Sequence, residues 1–579
     1  NLPITDAATY KLITSGNTLG VFQLESTGFQ ELLRKLKPDC FEDIVAAVAL
    51  YRPGPLGSGM VDDFVKRKHG ETLVAYPHPW LEGILKETYG VIVYQEQVMQ
   101  IASILGGFSL GQADLLRRAM GKKKEKEMIR MREIFLEGTE KNSVNKETAE
   151  HIFDLMAYFA GYGFNKSHSA AYAMLTYHTG YLKAHYPAAF FAAMLTSDSN
   201  KTDKVVRYVF EARRMGMKVL PPDVNESDKD FSITSQGIRF GLGAVKGIGE
   251  AAIDAIIESR KEYGHFSSLE EFCNNADMKR INRRTIEALV ACGAFDSTEM
   301  DRDILLHNIK RAVDAGVRQQ LDREQGQFSL FGDSSDEDSE AVGMSYETPQ
   351  ERASRRHILR MEKDSLGFYI SGHPLQGHED EIRALGGWNT ADIEDRGVDG
   401  KEVLVGGITV DMKERRSRNG DRMATGQLED LQGRIELVVF PKTFALVEGC
   451  LGDDLPVVVR GRVRIDEGEG ARTARITADS ITPLGTFREE RAKSITIELG
   501  NGSLEGLNAE EIRGKLSSVI ENHPGSVPVY VSLRVPDAGR IVVELGEQFK
   551  ARPSDEFLAD LREIVTIPAV VSAAAGPAV

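Results

Sequence analysis

The stretch Gly161-Tyr162-Gly163-Phe164-Asn165-Lys166-Ser167-His168-Ser169-Ala170-Ala171-Tyr172 joins flexible glycines, ring side chains, hydrogen-bond donors and small residues. Asn165 or Ser167 can cap a helix that continues through Ala170, Ala173, Leu175, Tyr181 and Leu182 and stops at Pro187. Such a start leaves N–H groups beside Lys166 and His168, a setting that attracts phosphate, and the segment is expected to face a nucleotide. The same residues have a plainer explanation. Tyr162 and Phe164 can be core, His168 a satisfied interior histidine, and the Ser/Ala run a close seam between helices.

Upstream, Leu115-Leu116-Arg117-Arg118-Ala119-Met120-Gly121-Lys122-Lys123-Lys124 forms a second cationic element. Arg118 and Lys122 stand four apart, neighbours on one helical face. A solvated face paired with Glu125 and Glu127 is the usual meaning of one isolated charge run. Two such elements in one chain favour anion binding instead.

These residues need elements to hold them. Residues 1–230 are expected to be mostly helical, from amphipathic periods such as Met128, Met131, Ile134, Phe135 and Ile152, Leu155, Met156, Phe159. In 231–330, Val245-Lys246-Gly247-Ile248-Gly249-Glu250 precedes an apolar helix through Ile253, Ile256 and Ile257, a helix-hairpin-helix signature. Its glycines permit a tight hairpin and let backbone N–H groups reach a DNA phosphate without regard to sequence. Lys279-Arg280-Ile281-Asn282-Arg283-Arg284 supplies a degenerate second hairpin with cations in place of glycines. Lys246, Gly247, Gly249, Arg283 and Arg284 are therefore candidate contacts to duplex DNA.

Gln327-Phe328-Ser329-Leu330-Phe331 strands large apolar residues between a polar helix and an acidic run, Asp333 to Glu340. It is a docking plug in form, with Gln327 on a rim and Leu330 and Phe331 in a partner's apolar pocket. Residues 331–400 are an acidic linker with connecting helices. Five strand-like stretches with one intervening helix in 401–485 predict an OB-fold. The loop Lys413-Glu414-Arg415-Arg416-Ser417-Arg418 is a candidate for single-stranded backbone through Arg415 and Arg416, although the strands lack the exposed aromatics on which bases stack. Residues 486–579 alternate strands and helices in a small α+β module, and the Ala/Val/Pro-rich end from Ile567 is expected to be frayed or partner-bound. The expected fold is multidomain: mainly α in its N-terminal half, then an all-β barrel, then the α+β module.

At 579 residues, several hydrophobic cores are expected. A composition of 41% hydrophobic and 27% charged residues, without an apolar run of about 20, predicts a globular protein that is not embedded in a membrane. Four cysteines without CxxC spacing suggest neither disulfides nor zinc, and fit a reducing cytoplasm. The net charge of −16 argues against indiscriminate nucleic-acid binding, but the bases cluster locally in the segments named above. The chain opens Asn1-Leu2-Pro3 without an initiating Met and is expected to be a piece of a longer protein.

Phe22-Gln23-Leu24-Glu25-Ser26, Arg52-Pro53-Gly54-Pro55-Leu56, Tyr94-Gln95-Glu96-Gln97-Val98-Met99, the Leu115 run and the Gly161 run occur in this order. In this the chain resembles the alpha subunits of bacterial DNA polymerase III, the replicative C-family polymerases. The resemblance implies that 1–230 is the fingers domain, which closes on nucleotide and template. Arg117 and Arg118 then become candidates for the triphosphate, Tyr162, Ser167 and His168 for the nascent base pair, and Asn165 and Lys166 for the same nucleotide site. Lys122, Lys123 and Lys124 are candidates for DNA backbone, and Arg52 for a further contact or a rigid turn. The plug at Gln327, Leu330 and Phe331 would be the sliding-clamp (beta) peptide, and the last module the attachment to the clamp-loader tau subunit.

Polymerisation needs carboxylates that hold two divalent cations about 4 Å apart. Adjacent Asp62 and Asp63 do not point the same way on a helix, and the resemblance places the Mg2+-binding aspartates in a palm domain upstream, so neither a metal site nor a catalytic residue is expected within this chain and the fragment alone is expected to be inactive. Two alternatives are an error-prone relative, disfavoured by the plug and long C-terminal module, and a non-enzymatic DNA-binding scaffold.

Overall fold

The computed structural model describes residues 2–121, 125–160, 163–325, 346–349, 353–376, 378, 381–382, 388–417, 419–452, 454–468, 471–499, 509–535, 539–564 and 570–572. Tyr162, Lys122, Lys123, Lys124, Gln327, Leu330 and Phe331 lie outside the described residues. Contacts divide the chain into two compact units. The first comprises Asn1–Val219, Phe231–Arg239 and Asp466–Thr473, and the second the remainder.

The first unit is helical, as expected, and has two cores. One gathers around the helices Phe41–Leu50 and Lys166–His185, with Ile13, Leu24, Leu33, Ile44, Ala47, Phe64 and Tyr177 buried. The other lies among Gln95–Gly106, Leu110–Gly121, Glu125–Lys141 and Lys146–Ala160, with Ile101, Leu105, Leu116, Phe135 and Met156 buried. Gly138 makes that second packing possible, because a Cβ there would stand 1.9 Å from the Gly106 carbonyl oxygen. A fully buried phenylalanine such as Phe135 is worth roughly 3–5 kcal/mol over alanine, far more than any exposed ion pair on these helices. The core therefore decides where the Leu110–Gly121 helix lies.

The two cores meet at 91–98. Val93 and Tyr94 face the first, Val98 faces the second, and Phe159 packs on both.

Local signals start the helices. Asp6 Oδ2 accepts from the Thr9 N–H at 2.8 Å and caps Ala7–Ser15, while His185 Nε2 lies 2.8 Å from the same oxygen. The bond to His185, followed by those to Thr9, holds the Asp6 carboxyl at a pKa of about 2, below its ordinary 3.8. A carboxyl lowered in the folded state stabilises fully above its unfolded pKa and loses that contribution as pH falls towards about 2. Asp6→Asn is thus expected to be less stable than the wild type at pH 6, with the gap closing by about pH 2. Urea unfolding at a series of pH values checks this; a gap that persists at pH 2 refutes it.

In the second unit, Glu250–Tyr263, Leu269–Asn275, Arg283–Ala291 and the long Arg302–Glu324 pack as a helical group. Next comes a closed five-strand barrel in the order Glu402–Arg416, Arg422–Glu429, Arg434–Val439, Ala471–Pro483, Pro456–Gly468, with the helix Pro441–Val447 after the third strand in sequence. This is the expected OB-like barrel.

One detail differs from expectation. Lys413 to Arg416 is strand, paired to Met423 and Arg422 through Arg415 and Arg416, and the Ser417 N–H donates to Asp421 O where the two strands meet. A register shift between Val410 and Lys413, with Asp411 at φ 52°, separates this exposed arm from the barrel wall.

The C-terminal module is a four-stranded sheet in the order Gly539–Glu544, Val529–Val535, Ser494–Leu499, Val570–Ser572, with helices Ala509–Asn522 and Asp555–Ile564 supplying its core. Here too an expectation is corrected. Val570–Ser572 is not frayed; it pairs antiparallel with Ser494–Thr496 and completes the sheet edge. No described helix is long and apolar enough to cross a membrane.

Candidate nucleotide and nucleic-acid interface

Tyr94-Gln95-Glu96-Gln97 closes the junction between the two cores, and each of its polar side chains holds backbone or a charged partner. Gln97 is buried. Its Oε1 accepts from the N–H groups of Val93 and Tyr94 at 2.8 and 3.0 Å, and its Nε2 donates to Ile84 O and Thr88 Oγ1. The strand-like piece so fixed pairs with the glycine turn: Phe164 N–H donates to Val93 O at 3.2 Å, and Gln95 N–H to Phe164 O at 2.9 Å. The cationic helix joins through Gln95, whose Oε1 accepts from Arg117 Nη1 at 3.0 Å while its Nε2 donates to Gly163 O at 3.0 Å. Arg117 and the segment 163–168 therefore converge on Gln95.

The start of the Lys166–His185 helix differs from expectation. Asn165 is the cap, its Oδ1 accepting from His168 N–H at 2.8 Å. Glu96 adds to it, with Oε2 accepting from Lys166 N–H at 3.0 Å and Oε1 from Asn165 Nδ2 at 2.8 Å. Lys166 Nζ sits on Glu87, at 2.7 and 2.6 Å from its two oxygens. An anion does occupy the helix N-terminus, as its partial positive charge favours, but it is the protein's own carboxylate. The N–H groups of Lys166 and His168 are engaged in this structure.

Asn165, Ser167 and His168 are exposed on this helix, whereas Ser169 and Ala173 are buried. Ser169 Oγ donates to Val45 O at 2.5 Å, so the small-residue run is both a seam and, one turn earlier, a surface. The His168 ring lies 4.3 Å from Tyr172 and 5.5 Å from Phe164, and Tyr172 lies 5.5 Å from Phe22. The Arg52 guanidinium covers Phe164 at 4.3 Å, and burial lowers its pKa. Three of the five sequence motifs thus meet in one stacked array, and Gln95 of the fourth ties Arg117 of the fifth to it by hydrogen bonds.

The charge partner of the arginines was missed from sequence. Asp114, three and four residues before them, takes Arg117 at 2.7 Å and Arg118 at 2.8 Å, where Glu125 and Glu127 were considered. The bond from Arg117, ahead of the other contributions, keeps the half-buried Asp114 carboxyl below its ordinary pKa. Ionised Asp114 leaves this trio with one net positive charge. Arg118 is 62% exposed and Arg117 27%, so the first presents its guanidinium to solvent and the second is held in place.

In the second unit Gly247 takes φ +86°, which favours glycine, and Lys246, Gly247 and Gly249 are exposed. Among the described residues, nothing stands within 4 Å of a Cβ built on Gly249, and Glu250–Tyr263 shows no side-chain cap. At the second hairpin Arg283 and Arg284 are exposed, with Arg283 Nε on Glu287 at 2.8 Å, while Arg280 pairs with Glu258 across the two helices. Arg415 and Arg416 lie on the exposed strand arm.

Among the described residues, Asp39, Cys40 and Asp43 form one cluster of possible metal ligands. Lys68 Nζ occupies both its carboxylates, at 2.9 and 2.7 Å. A soft thiol and two lysine-bound carboxylates do not fit a pair of magnesium ions, which take octahedral oxygen shells. Asp62 and Asp63 are exposed in the first turn of Met60–Lys68.

Residues 1–143 match the family model of the bacterial DNA polymerase III alpha subunit finger domain, 216–305 that of the helix-hairpin-helix motif, and 515–566 that of the DNA polymerase III subunit alpha C-terminal domain. The DNA polymerase III subunits alpha of Pseudomonas aeruginosa and Escherichia coli K12 are each 40% identical over 97% of this chain, and that of Pasteurella multocida 42% over 97%. The chain covers 49%, 48% and 48% of these three proteins, about half the length of the curated relatives it matches. With identity sustained across both units and three family models in the order of finger helices, hairpins and terminal sheet, the chain belongs to the family of bacterial DNA polymerase III alpha subunits.

Proposed function

We propose that the chain is the nucleotide- and DNA-holding part of a replicative DNA-directed DNA polymerase acting in the cytoplasm. The convergence of Arg117 with the 163–168 turn carries this reading, because a triphosphate needs a cation and its base needs a ring surface at one place. Arg117 and Arg118 take the triphosphate of a dNTP, and Ser167 and His168, with Tyr162, face the nascent base pair. Asn165 and Lys166 shape that site from within. The Mg2+-binding carboxylates and the catalytic step are assigned to residues outside this chain, which spans about half the length of the curated relatives it matches.

Primer–template duplex leaves across Lys246, Gly247 and Gly249, with Arg283 and Arg284 on its backbone. Lys122, Lys123 and Lys124 add further backbone contacts, and Arg415 and Arg416 hold template single strand. Gln327, Leu330 and Phe331 dock on the sliding clamp, and the terminal sheet on the tau subunit.

Gly249→Val tests the duplex path. The site has room for the side chain, so the fold should keep its melting temperature, while branched carbons above the helix start hold phosphate away. Duplex Kd in the whole polymerase is expected to rise about tenfold. An unchanged Kd by fluorescence anisotropy would remove the hairpin from the DNA path.

A further inference from the structure

We propose that Gln95 is a positioning residue, whose side-chain amide holds the Arg117 guanidinium in register with the glycine turn so that phosphate and base are gripped together. This rests on the nucleotide reading above and adds to it the part that joins the two halves of the site.

The amide orientation is set by its partners. Arg117 can only donate and the Gly163 carbonyl can only accept, so Oε1 must face the former and Nε2 the latter, as observed at 3.0 Å each. A flipped amide would oppose donor to donor and acceptor to acceptor. Gln95 also grips the turn through its main chain, its N–H reaching Phe164 O at 2.9 Å, so one residue holds two successive carbonyls. Gly163 is shaped to it: a Cβ there would come within 3.3 Å of Gln95 Cγ.

On the other side, Asp114 takes Arg117 Nε and Nη2 at 3.0 and 2.7 Å while Gln95 takes Nη1. The guanidinium is thereby held on two edges. Ordering a long arginine costs rotamer freedom, and here that cost falls on folding rather than on nucleotide binding. Asp114 alone fixes the arginine only relative to its own helix. Gln95 is the group that references it to the turn.

The test uses the full-length polymerase and a double-mutant cycle with Arg117→Ala, reading nucleotide KM, kcat and primer–template Kd. Gln95→Met keeps side-chain length and loses both bonds, and is expected to raise nucleotide KM about five- to tenfold with primer–template Kd unchanged. In the Arg117→Ala background the same change should add less than about twofold, because its partner is gone. Gln95→Glu keeps an acceptor for Arg117 but sets a second oxygen against Gly163 O, and it too should raise KM.

A full additional effect in the Arg117→Ala background overturns the coupling. Wild-type kinetics in Gln95→Glu would show that the link to the turn does nothing, and parallel loss of nucleotide and DNA binding would reduce Gln95 to a structural role. If Arg117→Ala alone leaves KM untouched, the nucleotide reading itself fails and takes this role with it. If Arg117→Ala is impaired and Gln95→Met is not, only the role of Gln95 falls.

Discussion

Arg117→Ala combined with Arg118→Ala is expected to lower kcat/KM for nucleotide in the whole polymerase by roughly a hundred- to a thousandfold. Hydrogen bonds to a charged group contribute about 1.5–3 kcal/mol each, and two such groups on one triphosphate give about 3–5 kcal/mol. Asp114 moderates the figure, because both guanidinium groups already hold its carboxylate and a phosphate must share them. The exposed Arg118 turns to a ligand at little cost; Arg117, held by Gln95 as well, is already placed. Primer–template affinity should change little, as neither arginine lies in the hairpins. Steady-state kinetics with short primers, alongside anisotropy on the same DNA, separates the two effects. Retention of full kcat/KM would sink the assignment, and equal loss of DNA affinity would shift the pair from the triphosphate to the DNA backbone.

Much of this was legible in the chain itself because it depends on local pattern. The apolar period at Ile152, Leu155, Met156 and Phe159 reports a helix that buries one face, and the apolar run from Val403 to Val410 reports a buried barrel strand. Pattern fails where neither face is buried. Lys413 to Arg416 extends past the barrel wall with all four residues exposed, so it has no alternation and reads as a loop. Val570–Ser572 pairs on one side only, at a sheet edge where composition says little.

The site shows the same division more sharply. The residue types at 163–168 announce an anion site at a helix start, and local capping by Asn165 follows from its identity. The carboxylate that fills the start comes from Glu96, 70 residues earlier in sequence, and no spacing rule links the two. Asp114 could have been found, since i, i+3 and i, i+4 pairs are the first places to look for a partner of Arg117 and Arg118. Gln95 could not, because an amide in a helix's first turn has many ordinary uses until its two partners are seen.

Lys183→Met is expected to destabilise the helical unit by about 3–5 kcal/mol, although the lysine is far from solvent and contacts no candidate ligand-binding group. Its ammonium is fully buried and all three of its donors are used: Glu211 Oε1 at 2.8 Å, Asn17 O at 2.8 Å and Leu19 O at 2.9 Å. Burial, the largest influence, lowers its pKa, so placing a charge here costs stability and the three bonds offset that cost. Removing the lysine leaves the offsetting partners exposed to the same penalty. Glu211 keeps Arg214, at 2.9 Å, and two carbonyls lose this donor.

The damage should travel, because Asn17–Leu19 leads into Phe22, whose N–H donates to Thr179 Oγ1 and whose carbonyl accepts from Thr176 Oγ1, each at 3.0 Å. Those two bonds seat the Phe22 ring against Tyr172, and Tyr172 carries His168. Hydrogen exchange should show lost protection in peptides covering 17–24 and 202–214, while 402–410 in the barrel is unchanged. Lys183→Met with Glu211→Leu should recover most of the loss, since an apolar pair replaces a buried ionic one at little cost when the volume is filled. A loss below about 1 kcal/mol for the single change would mean that the ammonium is not what holds this corner, and that the Phe22 side of the stack is positioned by packing alone.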